Sequence, residues 1–330
     1  MSAPAPLKIC VIGAGAIGGW IGVRLARAGH AVSFVARGAT LAHIQAQGML
    51  LVEAGQTHRA QVAARDNTAE LGEQDLVILC VKSPSVLAVA RQLKPLLGAN
   101  TVVMTAMNGV PWWFLQGFGG AFAGTRLQAV DPGGEIAQLI PVERILGCVV
   151  HASCSQARPG EVHHHFGKRL IIGEPSGQKT QRVQNIAALL AAAGFEAPVS
   201  EQIQKDSWYK LWGNMTVNPV SALTGATTDL ILADPLVRNF MSSVMLEAKE
   251  IGSRIGIPIL TQPEERHAVT LKLGAFKTSM LQDVEAGRAV ELDALVTVVK
   301  ELGELTGVPT PQTDTLLGLA RLQAQVRKLY

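Results

Sequence analysis

Apolar residues fall into two rhythms along this chain. Up to about residue 200 they form short, nearly unbroken runs between glycine-rich turns, the mark of buried strands. LKICVI (7–12), AVSFVA (31–36), DLVILCVKSPSV (75–86) and TVVMTAMNGV (101–110) each read as a strand, the last two running into loops. Between the first two strands, IGGWIGVRLARAGH (17–30) has helical periodicity and is closed by Gly29. GCVVHASC, EVHHHF and KRLIIGEP read as short strands, antiparallel by arrangement, and TQRVQNIAALLAAAGFEAPVS (180–200) as a helix with a final strand. Beyond residue 200 the spacing turns helical, over 202–222, 234–256, a long stretch from 263, and 290–306. Residues 117–146, with GFGGAFAGT and DPGGE, read as loops inserted within the first domain.

The turn after the first strand is Gly13-Ala14-Gly15-Ala16-Ile17-Gly18, a full GxGxxG in strand–turn–helix–strand context. Gly13 permits the tight turn, Gly15 lets the backbone approach a pyrophosphate, and Gly18 lets helix pack on strand. The helix start offers N–H groups and a positive dipole end to phosphate. The expectation is an α/β, Rossmann-type doubly wound sheet domain over 1–200, followed by an all-α domain over 201–330. An NAD site carries Asp or Glu at the end of the second strand. Here Arg37 stands there, and no carboxylate follows until Glu53. A guanidinium suits a 2′-phosphate, so NADP(H) is the expected cofactor. Lys82 and Asn108 lie past the ends of two further strands, where ligands of such sheets sit. For each there is a plainer reading, a solvated loop lysine and an Asn-Gly turn.

Composition narrows the class. With 48% hydrophobic and 17% charged residues the chain reads as globular, large enough for two cores. The net charge of +3 is scattered, without the basic block that nucleic acid demands. Cys10, Cys80, Cys148 and Cys154 form no CxxC, which fits free thiols in a reducing cytoplasm. MSAPAPLKIC lacks the basic-then-apolar order of a secretory leader, and no run reaches a membrane-span length. The triple His163-His164-His165 alternates faces on a strand and has no ligand-spaced partners, so no metal is expected.

The chemistry concentrates in WYKLWGNMTVNPV (208–220). Lys210, Asn214 and Asn218 are four apart and share one helix stripe. Apolar side chains flank that stripe, so the helix is mostly buried, and buried ammonium and amide groups need partners that a polar substrate would supply. A solvated helix face is the bland alternative. Pro219 should kink or end the helix. Ser279, and Glu291 at the start of the last long helix, read singly as helix-start residues.

Taken together, GAGAIG (13–18), Arg37, Lys82 in CVKSPSV, Asn108-Gly109, WYKLWGNMTVNP, TSMLQDV (278–284) and ELDAL (291–295) resemble the ketopantoate reductase (2-dehydropantoate 2-reductase) family over almost the whole chain. The resemblance implies reduction of ketopantoate to pantoate with NADPH, for pantothenate synthesis in the cytoplasm. It implies Lys210 as catalytic acid, Asn108 touching both nicotinamide and substrate, Asn214 and Asn218 holding substrate, Ser279 binding its carboxylate, and Glu291 supporting the site near the cofactor. Implied partners are a small 2-keto acid and, through the apolar helical domain, a second copy of the chain; no nucleic acid or membrane is implied.

Three departures touch the substrate. The segment after Asn108 is long and carries Trp112-Trp113-Phe114 close to the expected cleft, Thr228 stands where an asparagine is expected, and Thr297 replaces a smaller residue. The alternative is an NAD(P)-dependent enzyme of another 2-keto or 3-hydroxy acid. A cofactor-sensing protein without catalysis would have no use for the polar stripe.

Overall fold

The computed structural model describes residues 6–330; the first five, where the leader reading begins, lie outside the described residues. The chain divides into two compact units, residues 1–107 with 135–203, and residues 108–134 with 204–330.

The first unit is built on one sheet. Its strands are β1 (Lys8–Ile12), β2 (Ala31–Val35), β3 (Met49–Glu53), β4 (Gln56–Ala60), β5 (Ala63–Arg65), β6 (Gln74–Leu79), β7 (Leu97–Thr105), β8 (Ile145–Arg158) and β9 (Glu161–Gly173). Its helices are α1 (Ala16–Arg27), α2 (Gly38–Gln47), α3 (Val86–Ala90), α4 (Glu135–Leu139) and α5 (Gln181–Ala192). The sheet order is β4-β3-β9-β8-β7-β6-β1-β2-β5. From β8 to β5 neighbours pair in parallel, and the β8–β9 and β3–β4 pairs are antiparallel.

Each apolar run becomes a strand because both sheet faces are covered. Ile9, Val11, Leu76 and Ile78 are fully buried, and Trp20 and Phe34 pack among them. Glycines let α1 lie close on the sheet. A Cβ at Gly22 would meet the Phe34 ring at 2.3 Å, and one at Gly19 would meet Met49 at 2.2 Å.

The three short strands expected after residue 147 are one long hairpin. EVHHHF and KRLIIGEP are a single strand, β9, and register shifts at His151/Ser153 and Ser153/Cys154 mark where the ladder is irregular. His163 bonds Glu161, His165 bonds Ser155, and His164 stacks on Trp20, so each of the three has structural company. The strand expected after α5 is reduced to two isolated bridges, Arg169↔Glu196 and Ile172↔Val199.

The second unit holds α6 (Ile203–Thr224), α7 (Thr228–Ala233), α8 (Pro235–Arg254), α9 (Pro263–Leu271), α10 (Ser279–Glu285), a π-helical turn at Asp293–Thr297, α11 (Val298–Thr306) and α12 (Pro311–Val326). Pro219 does not end α6. The helix runs on to Thr224, with Pro219 and Val220 buried in it, so tertiary burial outweighs the lost backbone bond.

Residues 108–134 belong to this helical unit although a sheet strand precedes them in the chain. Val110 N–H donates to the Ala294 carbonyl at 2.9 Å, and Phe114 packs against Trp208. Burial of Trp112, Trp113 and Phe114 anchors the excursion, so the stretch expected as loops of the first domain cuts across a single boundary at residue 200. Among the described residues, no helix is long and apolar enough to cross a membrane.

Candidate active site

In the first unit the glycine turn has the geometry its sequence predicts. Gly13 has φ +98, and a Cβ there would sit 2.7 Å from the Cys80 carbonyl oxygen; Gly13 N–H donates to the Val35 carbonyl. A Cβ at Gly18 would fall 2.0 Å from the Gly13 carbonyl oxygen, which makes that glycine a packing requirement. Gly15 is different: nothing lies within 4 Å of where its Cβ would be. The open side of Gly15 faces no protein atom and leaves room for a ligand to approach the backbone. Gly15 is also the N-cap of α1 and brings no side chain to cap it, so first-turn N–H groups are left to an incoming anion.

A cavity of ≈ 270 Å³ opens here, lined by Gly13, Ala14, Gly15, Arg37 and Thr40 together with side chains from other strand ends. It has no Asp or Glu in its lining. Arg37 is exposed at the end of β2, preceding α2. Glu53, the nearest downstream acid in sequence, is bound to Arg24 at 2.5 Å and is not part of the cavity. Ala16, Ile17 and Gly18 form the first turn of α1 instead of lining the cavity. Lys82 precedes a short 3₁₀ turn, Ser83–Ser85, and its neighbours Val81 and Ser85 line the cavity while it does not. Thr40, Gln92 and Gln156 also line it. Thr40 could have been suspected from its place in the first turn after Arg37; Gln156 comes from a distant hairpin and gives no local signal. These residues fit a dinucleotide: an open glycine cradle, an uncapped helix start, and a cation just past the end of β2.

In the second unit Lys210 Nζ donates to Asn108 Oδ1 at 2.8 Å, though the two are 102 residues apart in sequence. Asn108 owes its place to the next two residues. Gly109 has φ +83, and a Cβ there would meet the Ala294 carbonyl oxygen at 2.4 Å; Val110 N–H bonds that same oxygen. The loop carrying Asn108 is thus clipped to the π-helical turn, an irregularity often found at functional sites. The turn is itself braced: Asp293 accepts from Thr297 Oγ1 at 2.9 Å and from Tyr330 Oη at 2.7 Å. Burial, with Asp293 second, pushes the Tyr330 phenol up to about 12, so it stays a donor.

Asn214 is half-buried and Asn218 is 5% exposed, and neither amide makes a hydrogen bond to a described residue. Neither amide is among the fully buried unpartnered groups, so both are open to ligand or water. Ser279 opens α10 exposed, and Thr278 does the capping there by accepting from Leu281 N–H. Glu291 immediately precedes Leu292, the first helical residue before the π turn, and is half-buried. Thr228 is fully buried. Its hydroxyl bonds the Gly274 carbonyl and receives Phe276 N–H, so its work is structural. The Thr297 hydroxyl is likewise spent on Asp293. No disulfide joins the four cysteines among the described residues, and burial pushes the Cys10 and Cys154 thiols up to about 12, which keeps them unreactive.

Two family descriptions match the chain: ketopantoate reductase PanE/ApbA over residues 9–113 and ketopantoate reductase PanE/ApbA C terminal over 202–324. A 2-dehydropantoate 2-reductase of Mesorhizobium japonicum is 46% identical over 98% of this chain and 100% of its own. The chain belongs to the ketopantoate reductase family. As a member it is an oxidoreductase of that type, using a nicotinamide dinucleotide. A Ralstonia solanacearum structure assigned as a ketopantoate reductase is 56% identical, with TM-score 0.95 over 99% of this chain and all of that one. D-mandelate dehydrogenase, solved with NADH and anilino(oxo)acetate, shares the fold at TM-score 0.85 and 19% identity, over 98% of this chain and 100% of its own.

Proposed function

We propose that this protein reduces ketopantoate, or a closely similar 2-keto acid, with NADPH, and that Lys210 is the general acid. The single observation that carries the reading is the Lys210–Asn108 hydrogen bond of 2.8 Å. It gives an ammonium a fixed direction on the helix that carries two amides with no hydrogen bond to a described residue.

The nicotinamide, when bound, supplies hydride to the keto carbon. Charge then develops on the former carbonyl oxygen. The Lys210 ammonium stabilises that charge and delivers a proton from Nζ, the combination most effective for alkoxide formation. Asn108 Oδ1 accepts from Nζ and holds it on its line. Asn214 and Asn218 can each donate and accept, which suits a substrate carrying both a keto group and a hydroxyl. Ser279 adds a hydroxyl for the carboxylate, and Glu291 supports the lysine. Arg37, in a cavity lining without acids, supports NADPH over NADH, and Lys82 is assigned to the same cofactor.

Lys210→Ala should lower kcat by on the order of a hundredfold to ten-thousandfold while leaving NADPH affinity nearly unchanged, as read from absorbance assays and cofactor titration. Retained turnover would reject the acid assignment. A panel of ketopantoate, other 2-keto acids and 3-oxo acids tests the substrate. A second reading, another 2-keto acid, draws on Thr228, whose buried hydroxyl is committed to Gly274 and so offers the substrate nothing. For a homodimer we point to the exposed stripe Leu319, Leu322 and Val326 along α12. Sedimentation is expected to give twice the monomer mass, and a monomer at micromolar concentration would reject it.

A further inference from the structure

Arg266, on α9, is a half-buried cation with a fully buried Nε that the reaction described above does not use. Its guanidinium lies flat against α6: a Cβ at Gly213 would come within 2.6 Å of Nη2 and 2.8 Å of Cζ and Nε. The Tyr209 ring centroid is 5.9 Å from Cζ, and Nη1 donates to Thr270 Oγ1 at 3.1 Å. A glycine inside a helix is destabilising relative to alanine, and here its bare Cα is what makes room for the guanidinium. The seat is therefore built for this side chain.

What the seat lacks is an anion. No carboxylate lies within ion-pair distance of Arg266 among the described residues, and Nε is buried without a hydrogen-bond partner. Burial alone pulls this group below the usual arginine range, with Tyr209 opposing. A buried N–H left without an acceptor is costly, and an anion from outside the chain would supply one. Gly213 is three residues past Lys210, one turn along α6, so the guanidinium packs on the helix that carries the polar stripe.

We propose that Arg266 is an anion-binding residue, whose guanidinium takes a carboxylate of the substrate beside Lys210. This rests on the 2-keto acid reading and deepens it, adding a charged partner to the neutral hydroxyl of Ser279. It also predicts that the site discriminates by charge, against neutral carbonyl compounds.

The test uses Arg266→Met and Arg266→Lys in the full chain. For a 2-keto acid that the wild type reduces, Arg266→Met should raise KM on the order of tenfold to a hundredfold with kcat changed far less. The methyl ester of the same acid should show no such rise, and Arg266→Lys should recover part of the loss. Equal effects on acid and ester would overturn the proposal. A second arm needs no turnover: oxamate, a carboxylate that cannot be reduced, should raise the melting temperature of the wild type and not that of Arg266→Met. An equal shift in both, or in neither, overturns it. If the wild type reduced no 2-keto acid, the functional reading would fall while the oxamate arm still decided Arg266. Without ligand, Arg266→Met should melt no lower than the wild type, because it removes an uncompensated charge; a large drop would make the residue structural instead.

Discussion

Single residues divide by what surrounds them. Lys210, Asn214 and Asn218 were legible because polar groups at helical spacing among tryptophans and leucines contradict their setting. Neither Asn214 nor Asn218 makes a side-chain hydrogen bond to a described residue. Arg37 was legible because a strand end after GxGxxG is a defined place, and it lines the cavity. Arg37→Ala should shift the NADPH-to-NADH preference, measured as a ratio of kcat/KM, by on the order of tenfold to a hundredfold, the worth of a charge-assisted bond. An unchanged ratio would remove Arg37 from phosphate recognition. Arg266 was not legible. PEERHAVTL reads as an ordinary solvated helix start, and only the approach of Gly213 shows its arginine packed against α6.

Elements were legible where one force dominates. The four apolar runs became β1, β2, β6 and β7 because strands covered on both faces need unbroken apolar sequence. β3, β4 and β5 were missed. QTHRA is polar and forms the edge strand β4, and AAR, three residues long, forms the opposite edge β5, so both exist through pairing and not through pattern. The HHH segment was read as an exposed piece of a short strand, yet it continues into the buried Leu170–Ile172 half of β9. The glycine turn permits a test that separates fold from ligand. Gly15→Ala should leave melting within about 0.5 kcal/mol of wild type, since its Cβ enters open space, and should sharply weaken cofactor binding by titration. Gly18→Ala should destabilise the fold by on the order of 3 kcal/mol, because its Cβ would strike the Gly13 carbonyl. The reverse pattern would mean that Gly15 is structural and the cradle is not a cofactor site.

At the scale of the whole molecule, each compact unit holds one cluster of functional groups, the cavity at the glycine turn in one and the Lys210–Asn108 pair in the other. A ligand that binds only the folded state adds its binding energy to stability. NADPH at a hundred times its Kd should therefore stabilise by about 2.7 kcal/mol, read as a rise in melting temperature. Arg37→Ala should blunt that rise at the same concentration, and a rise as large in that variant would place the cofactor elsewhere. The sequence by itself determined the sheet-then-helices order, the dinucleotide turn and the polar stripe. These rest on local periodicity, on glycine's missing Cβ and on spacing along one helix, all properties of neighbours in the chain. Only the tertiary structure decided that 108–134 joins the helices, that Asn108 meets Lys210 across 102 positions, and that Thr228 is spent inside the fold. Those outcomes depend on which distant groups share a buried space, and burial is settled by the packing of the whole chain rather than by any stretch of it.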